Sequence, residues 1–510
     1  MIAVFFLSCI LAVIYSLPFA TLFQSAGYRF SVCLKRGKKY YLLSVAYFAV
    51  FAAAGILFRR FDGLVFRILS YSLFLPTVAF LFLIFRKMHL KIHPTRRFAR
   101  LLSCQAIVYA GAIFPLVFTD FSVVWCVSPI LAPFALLIAA FLLQPIEKLN
   151  NDRYSKRAKR RLSEMKATKI GITGSYGKTS VKTALNAFLS ELFSVAVTPA
   201  NYNTPLGIAK TLKTVSGEED FFIAEMGARR KGDIRELCDL VSPDLGILTG
   251  IAPQHLETFG SIQAILAEKN ELARSVPEKG CVFFNVADDL VRVLSEKRSG
   301  EKRTVGFERA DYLIENLRIS SNGTAFDLVF GGKRLAFETP LLGKGSAIDV
   351  ALAASVALFV GADQEKIVAA AKNLKPAPHR LEAIRKGDLL ILDDSYNVNP
   401  IGVKVALETL DAIEGKRKLV YTSGMVELGE KETENNFLLG KEIARVSDLA
   451  IVLSGRYGDL VVKGLLSSCF PKESIVRVGS TEEATALFSR LVRSGDVLLI
   501  TSDLPQEYRL

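Results

Sequence analysis

Cysteine is sparse here and poorly spaced for chemistry. The seven residues, at 9, 33, 104, 126, 238, 281 and 469, include no C-x-x-C pair and no spacing of zinc type. That excludes a disulfide framework and a structural zinc, and leaves reduced thiols in a cytosolic or membrane-buried setting, with Cys238 and Cys281 as small core residues. Acids are nearly missing from one end. Residues 1–169 hold five of them (Asp62, Asp120, Glu147, Asp152, Glu164) against 23 Lys and Arg, a net of +18, so the rest of the chain carries −4 within a total of +14. The basic excess thus belongs to the apolar third of the chain and not to a folded polar domain, which points to membrane topology and away from nucleic acid as a partner. The first apolar run also lacks the basic n-region and small-residue cleavage site of a signal peptide.

What is present at that end is a series of long apolar runs. Stretches near residues 2–23, 40–58, 64–85, 101–118 and 121–143 are each long enough to cross a ~30 Å hydrocarbon core as helix, so about five spans are expected within residues 1–145. Alternate connections are basic: Arg29, Lys35, Arg36, Lys38 and Lys39 in the first, Arg86, Lys87, Lys91, Arg96, Arg97 and Arg100 in the third, and Lys148 through Arg161 after the fifth. The positive-inside rule puts these in the cytoplasm and the N-terminus outside, although Arg59 and Arg60 in the second connection pull the other way. Residues 146–165 read as a basic cytoplasmic linker, either against anionic lipid headgroups or simply solvated. The expectation is a multi-pass protein of the bacterial cell membrane with the lipid bilayer as a partner and all later domains cytoplasmic.

Residues 169–182 carry the strongest chemical signal. An apolar, β-prone run ends in Gly174-Ser175-Tyr176-Gly177, and Lys178-Thr179-Ser180 opens a helical pattern. Glycines let the backbone amides turn inward, the helix N-terminus adds partial positive charge, Lys178 reaches outer phosphates and Thr179 offers a hydroxyl to Mg²⁺. Ile172 stands where the strict phosphate-loop pattern has Gly. Downstream, two short apolar runs, 221–227 and 245–251, read as buried parallel strands that deliver Glu225 and His255 to the rim of the same sheet. On residue type alone Glu225 reads equally as a strand-end acid, and His255 as a surface histidine. Alternation around Ser321-Asn322-Gly323 and Gly331-Gly332 predicts antiparallel hairpins flanking that sheet.

Six spaced motifs then occur in a recognisable order: Ile172-Thr-Gly-Ser-Tyr-Gly-Lys-Thr-Ser-Val181, Asn201-Tyr-Asn-Thr-Pro-Leu-Gly207, Ala224-Glu-Met-Gly-Ala228, His255-Leu-Glu-Thr-Phe-Gly-Ser261, Lys269-Asn-Glu271 and Asn285-Val-Ala-Asp-Asp289. Over about residues 166–500 the chain resembles the Mur ligases, most closely the MurF type, the UDP-N-acetylmuramoyl-tripeptide–D-alanyl-D-alanine ligases. The resemblance implies an α/β fold with a central ATP-binding domain at 166–375 and a Rossmann-like C-terminal domain at 376–510. It implies ATP and Mg²⁺ as cofactors. Nucleotide contacts would come from Gly174, Ser175, Gly177, Lys178, Thr179, Ser180, Asp349, Arg380 and Asp394. Thr179, Glu225, His255 and, if carbamylated, Lys269 would hold metal; from its local pattern Lys269 reads as well as part of an exposed helix face. Asn201, Asn203, Thr204, Asn397 and Asn399 would meet substrate, and Lys178, Glu225, His255, Lys269 and Arg380 would form the catalytic group.

The C-terminal third contains Pro376-Ala-Pro-His-Arg-Leu-Glu382, similar to the hinge of these ligases, and Leu389-Leu-Ile-Leu-Asp-Asp-Ser-Tyr-Asn-Val-Asn-Pro400, similar to the MurF signature there. Its strands carry no dinucleotide fingerprint. Three positions depart from the family: Gly345-Ser346 with Asp349 replace a His-Asn pair and a later Asn, Asn436 replaces a His, and Thr501-Ser502-Asp503 replaces Lys-Gly-Ser. The last two fall where the resemblance places handling of the incoming amine. The implied reaction joins a muropeptide-type carboxylate, soluble and UDP-linked or lipid-linked, to an amino acid or dipeptide amine, through an acyl phosphate. Two alternatives stay open: a membrane-bound amide ligase for a capsular or polyglutamate-like polymer, and a non-catalytic nucleotide-sensing scaffold of an envelope-synthesis complex.

Overall fold

The structure, a computed structural model, describes all residues except 1, 59–64, 66–67, 69–73, 89–91, 116–127, 201, 254–255, 397, 427 and 503–510. The chain divides into two compact units, Met1–Asp152 and Arg153–Leu510.

The first unit is helical: α1 (Ile2–Ser25), α2 (Phe30–Phe58), α3 (Phe74–Met88), α4 (Arg96–Ile113) and the beginning of α5 (Ala132–Glu164). Tyr15, Phe19, Phe23, Tyr41, Leu136 and Ala139 pack in its interior. Buried hydroxyls pair there, Tyr15 with Ser44 at 2.8 Å and Tyr109 with Ser128 at 2.7 Å. The outer surface is as apolar as the inside, because Phe6, Ile10, Leu42, Val50, Leu75, Phe82, Ile107 and Phe141 are all more than half exposed. Exposed apolar surface of this extent marks a face that meets a partner or a membrane.

Among the described residues two segments, Phe5–Ser25 and Ser128–Glu164, are long and apolar enough to cross a membrane, where five spans are expected from sequence. Parts of the expected third, fourth and fifth spans lie outside the described residues. One difference has a local cause. Lys35, Arg36, Lys38 and Lys39, expected in a connection, lie inside α2, since Lys and Arg are good helix formers and the lone Gly37 weakens the helix without ending it. For the same reason residues 146–164 are not an open linker but a continuation of α5, whose far end buries Ala158 and Leu162 in the second unit's core.

The second unit holds two sheets. In the first, β1 (Thr168–Thr173), β2 (Val195–Val197), β3 (Phe221–Glu225), β4 (Leu245–Leu248), β5 (Val282–Asn285) and β6 (Lys302–Gly306) run parallel in the order β2-β3-β1-β4-β5-β6. The expected hairpins are β7 (Tyr312–Ser320), β8 (Gly323–Phe330) and β9 (Lys333–Thr339), which extend the same sheet beyond β6. Both faces of the parallel part are covered, so its central strands are mostly apolar, with polar residues at their ends. On one face Ile170, Ile223 and Phe283 pack against α6 (Lys178–Leu189) and α11 (Gly343–Phe359). On the other, Phe222, Ala224 and Phe284 meet α8 (Asp233–Val241) and α9 (Ile262–Ser275). The short helices α7 (Pro205–Thr211), α10 (Asp289–Glu296) and α12 (Gln364–Ala371) complete the layers.

The second sheet has the order β10-β11-β15-β12-β13-β14, from β10 (Glu382–Lys386), β11 (Leu389–Asp393), β12 (Lys418–Thr422), β13 (Leu449–Leu453), β14 (Ile475–Val478) and β15 (Val497–Thr501). Only β10 is antiparallel to its neighbour. Its helices are α13 (Pro400–Ala412), α14 (Glu432–Val446), α15 (Arg456–Ser467) and α16 (Thr481–Leu491). Helices α14 and α15 approach until backbones touch. A Cβ on Gly464 would stand 2.0 Å from the Phe437 carbonyl, and one on Gly440 2.0 Å from that of Val461. Gly464→Ala is therefore expected to lower stability by ~1–3 kcal/mol, an overpacking cost, read as a lower denaturation midpoint of the full-length chain.

Candidate active site

The parallel strands of the first sheet end together, and their C-terminal loops build the site. The β1-to-α6 loop can be formed only by glycines at two points. Gly174 has φ +156° and a Cβ there would lie 2.1 Å from Thr249 Oγ1, while Gly177 has φ +79° and its Cβ would lie 2.5 Å from Asp349 Oδ1. The β4 and β5 ends anchor the loop: Ser175 N–H donates to the Gly250 carbonyl at 2.6 Å, and the Tyr176 hydroxyl to Asp288 Oδ2 at 2.7 Å. Thr249 Oγ1 donates to the Tyr176 carbonyl, and Asp288 also accepts from Ile251 N–H and caps α10. Tyr176, Thr249 and Asp288 were not foreseen as site residues. Two of them sit inside motifs that were read, where their residue type gave the only signal.

Lys178 folds over the loop and donates to the carbonyls of Gly174 at 2.6 Å and Ser175 at 3.2 Å. Desolvation in the cleft, with Arg380 adding to it, lowers its pKa to about 8. Thr179 Oγ1 lies 3.1 Å from Glu225 Oε2. Glu225 is almost fully buried, and is bonded by Lys182 Nζ at 2.9 Å and Asn203 Nδ2 at 3.2 Å. Burial alone would raise its pKa; Lys182 and Lys178 outweigh that and hold it below the ordinary value.

Lys269 is buried too, 4 % exposed, so the exposed-face reading of its helix is set aside. Its neighbour Glu268 explains why: both carboxylate oxygens accept backbone amides at the start of α8, Gly232 and Ile234, each at 2.7 Å, which pulls this face of α9 inward. Burial, reinforced by Lys178, lowers the Lys269 pKa to about 7.

The third side of the site comes from α11 and the second sheet. Asp349 faces Gly177 and Ser180, and desolvation raises its pKa to about 8 against the opposing pull of Ser180, Arg380 and Lys178. Arg380 lies with its guanidinium 4.5 Å from the Tyr396 ring centroid. Its two neighbours, His379 (φ +61°) and Leu381 (φ +48°), are left-handed without being glycine. Carboxylates hold that conformation: Glu382 accepts His379 N–H, Asp393 bonds His379 Nδ1 at 2.7 Å, and Asp394 accepts Leu381 N–H at 3.1 Å. Burial raises the Asp394 pKa to about 7. An open cleft of about 340 Å³ runs between Ser180, Ser346, Leu374 and Arg380.

The structure thus brings Gly174, Ser175, Gly177, Lys178, Thr179, Ser180, Asn203, Glu225, Lys269, Asp349, Arg380 and Asp394 into one neighbourhood, and of these Ser180 and Arg380 line that cleft. Thr204 and Asn399 are shown as N-caps of α7 and α13, accepting from Gly207 and Gly402. Asn436 does not face the cleft. It is fully buried and bonds both the amide and the carbonyl of Met425 and the carbonyl of Glu432, which fixes the backbone at Met425. Thr501 is likewise buried, within β15. Asn201, His255, Asn397 and Asp503 lie outside the described residues.

A glycine cradle at the C-terminal edge of a parallel sheet, with a carboxylate beside the first helical hydroxyl and an arginine offered by a second sheet, defines an α/β protein that handles nucleotide phosphates. The Mur ligase middle domain model matches residues 172–357 and the Mur ligase, glutamate ligase domain model residues 379–504. The chain is 31% identical over 296 residues to the UDP-N-acetylmuramoyl-tripeptide–D-alanyl-D-alanine ligase of Escherichia coli, covering 57% of this chain and 65% of that one. To the ligase of the same name from Mycobacterium bovis it is 30% identical over 356 residues, 65% of this chain and 70% of the other. The crystal structure of MurF ligase from Thermotoga maritima in complex with ADP has a TM-score of 0.61 at 26% identity, covering 69% of this chain and 80% of that chain. The chain spans about two thirds of the length of these curated relatives. It belongs to the Mur ligase family, the ATP-dependent amide ligases, and its named relatives are of the MurF type.

Above about pH 8 Lys178 gives up its positive charge and Asp349 gains a negative one. Both changes oppose a phosphate in the cradle. ADP affinity, measured by calorimetry, is expected to fall between pH 7 and pH 9, and Asp349→Asn to lessen the fall.

Proposed function

We propose that this chain is an ATP-dependent, ADP-forming ligase of MurF type in peptidoglycan precursor synthesis, joining the carboxylate of a muropeptide-type acceptor to the amine of an amino acid or dipeptide. The observation that carries the reading is the meeting of the Gly174–Gly177 cradle, the Thr179–Glu225 pair and Arg380 in one neighbourhood. In this reading the acceptor carboxylate attacks the γ-phosphate of ATP, and the amine then displaces phosphate from the acyl phosphate. Lys178 and Arg380 hold phosphoryl oxygens as charge builds on them. In this reading Asn203 and Thr204, with Asn201, would meet the acceptor, and Asn397 and Asn399 would meet substrate from the C-terminal domain. Asp394 keeps Arg380 aimed and closes toward the nucleotide.

The donor set fits Mg²⁺, since a hydroxyl and a carboxylate 3.1 Å apart are hard oxygen donors. Thr179, Glu225, His255 and a carbamylated Lys269 would hold it, and it would supply neutralisation of the phosphate charge. The chemistry of Lys269 suits carbamylation. Carbon dioxide adds only to the neutral amine, with loss of a proton, and a buried lysine with a pKa of about 7 supplies that form near neutral pH. Carbon-13-labelled bicarbonate is expected to give a carbamate resonance in the native chain and none in Lys269→Ala.

The same reading places residues 1–145 in the bacterial cell membrane as a multi-pass region, with the catalytic domains, 166–375 and 376–510, in the cytoplasm. Its support is the outward apolar surface of the first unit together with the basic excess of residues 1–169. An acceptor that is lipid-linked follows from a bilayer-held ligase. The test is phosphate release and product mass from the purified full-length chain with ATP, Mg²⁺ and D-Ala-D-Ala, offered UDP-linked or lipid-linked tripeptide. Lys178→Ala is expected to lower turnover ~100-fold or more, the scale of losing a charge-stabilising donor. Turnover with the soluble acceptor alone would remove the lipid part of the proposal; repeated addition of one amino acid would favour a capsular or polyglutamate-like product. Absence of ATP-dependent phosphate release with any amine would overturn the ligase reading and favour a nucleotide-sensing scaffold.

A further inference from the structure

We propose that Lys182 is a positioning residue that ties the acceptor loop at 200–204 to the Glu225 carboxylate, so that acceptor binding and the phosphate side of the site are felt through one ammonium group. The inference rests on the ligase reading for the identity of the acceptor.

Lys182 follows Lys178 by one helical turn on α6, so both side chains leave the same face of the helix. Their ends do different things. Lys178 Nζ lies on loop carbonyls 174 and 175, whereas Lys182 runs inward, is 4 % exposed, and places Nζ 2.9 Å from Glu225 Oε2 and 2.5 Å from the Ala200 carbonyl. A lysine so deeply buried needs strong acceptors, and here it takes one from each of two segments, β3 and the loop after β2. Ala200 has φ +44°, a conformation disfavoured without glycine, and the Lys182 bond is what fixes its carbonyl. From Ala200 the chain leads to Asn203, which donates to the other Glu225 oxygen at 3.2 Å and accepts Gly227 N–H at 3.0 Å. Thr198, just before the loop, accepts the Glu225 amide at 3.0 Å. The acceptor loop is thus bonded to Glu225 at its backbone amide, at one oxygen directly, and at the other oxygen through Lys182.

A buried ion pair with only a packing role predicts a uniform effect of its removal. A coupling role predicts a split. In Lys182→Met the acceptor loop loses its tether while Glu225 loses a competing cation. The expected result is a KM for UDP-N-acetylmuramoyl-tripeptide raised about ten-fold, the scale of one charge-assisted hydrogen bond, with Mg²⁺-ADP affinity by calorimetry equal to or tighter than that of the native chain. Amide hydrogen exchange at 200–204 is expected to quicken in the full-length chain without any ligand. Lys182→Arg, which keeps the charge but shifts the donors, is expected to give the same split and serves if the Met variant does not fold. An unchanged acceptor KM with unchanged exchange at 200–204, or an equal loss of acceptor and nucleotide affinity, would overturn the proposal. The exchange measurement needs no turnover, so absence of ligase activity in the native chain would count against the ligase reading while leaving this coupling separately decided.

Discussion

A carboxylate held away from water is unstable unless cations and donors surround it, and Glu225 is such a group. Thr179, Lys182 and Asn203 reach it from the helix after the cradle and from the loop after β2, and Thr198 fixes its backbone. None of these would converge without the parallel order of β2, β3, β1 and β4. That order brings every strand's C-terminal end to one edge, so that the Gly174 turn, Glu225 and Thr249 become neighbours although far apart in sequence. The apolar faces of those strands supply the packing that keeps the polar edge in register.

The second sheet contributes by geometry of another kind. Arg380 is presented between two left-handed residues, a conformation that costs free energy and persists only because Glu382, Asp393 and Asp394 bond the backbone and the His379 ring around it. The paired acids at the end of β11 thereby hold the backbone around Arg380.

The cradle was legible in the sequence because its demands are local: glycine where φ is positive, a lysine and a hydroxyl at fixed steps into a helix. The buried strands were legible from unbroken apolar runs, and the hairpins from alternation around their turn residues. What was not legible depends on partners distant in the chain. The Ala267-Glu268-Lys269-Asn270-Glu271 stretch looks solvent-facing, yet Glu268 is drawn inward by amides of α8 and carries Lys269 with it. Lys182 looks like an ordinary surface lysine of an amphipathic helix until β3 and Ala200 are placed beside it. Asn436 stands where a family histidine was expected to act, and only the fold shows it turned into the loop backbone. The basic runs expected in connections of the N-terminal region lie within α2 and α5, because basic residues also extend helices.

The central position of β15 has a consequence for how the molecule is made. Strands β11 and β12 do not pair with each other but with a strand synthesised after β13 and β14. Until residue 501 has left the ribosome the hinge-bearing hairpin has an unsatisfied edge, and the C-terminal sheet stands as two fragments. Its folding is thus obligatorily late, of high contact order, and exposed to mispairing at two open edges. A nonsense codon or proteolytic cut ahead of Val497 would therefore remove the keystone of that sheet, and with it the platform for Arg380, while sparing the phosphate cradle.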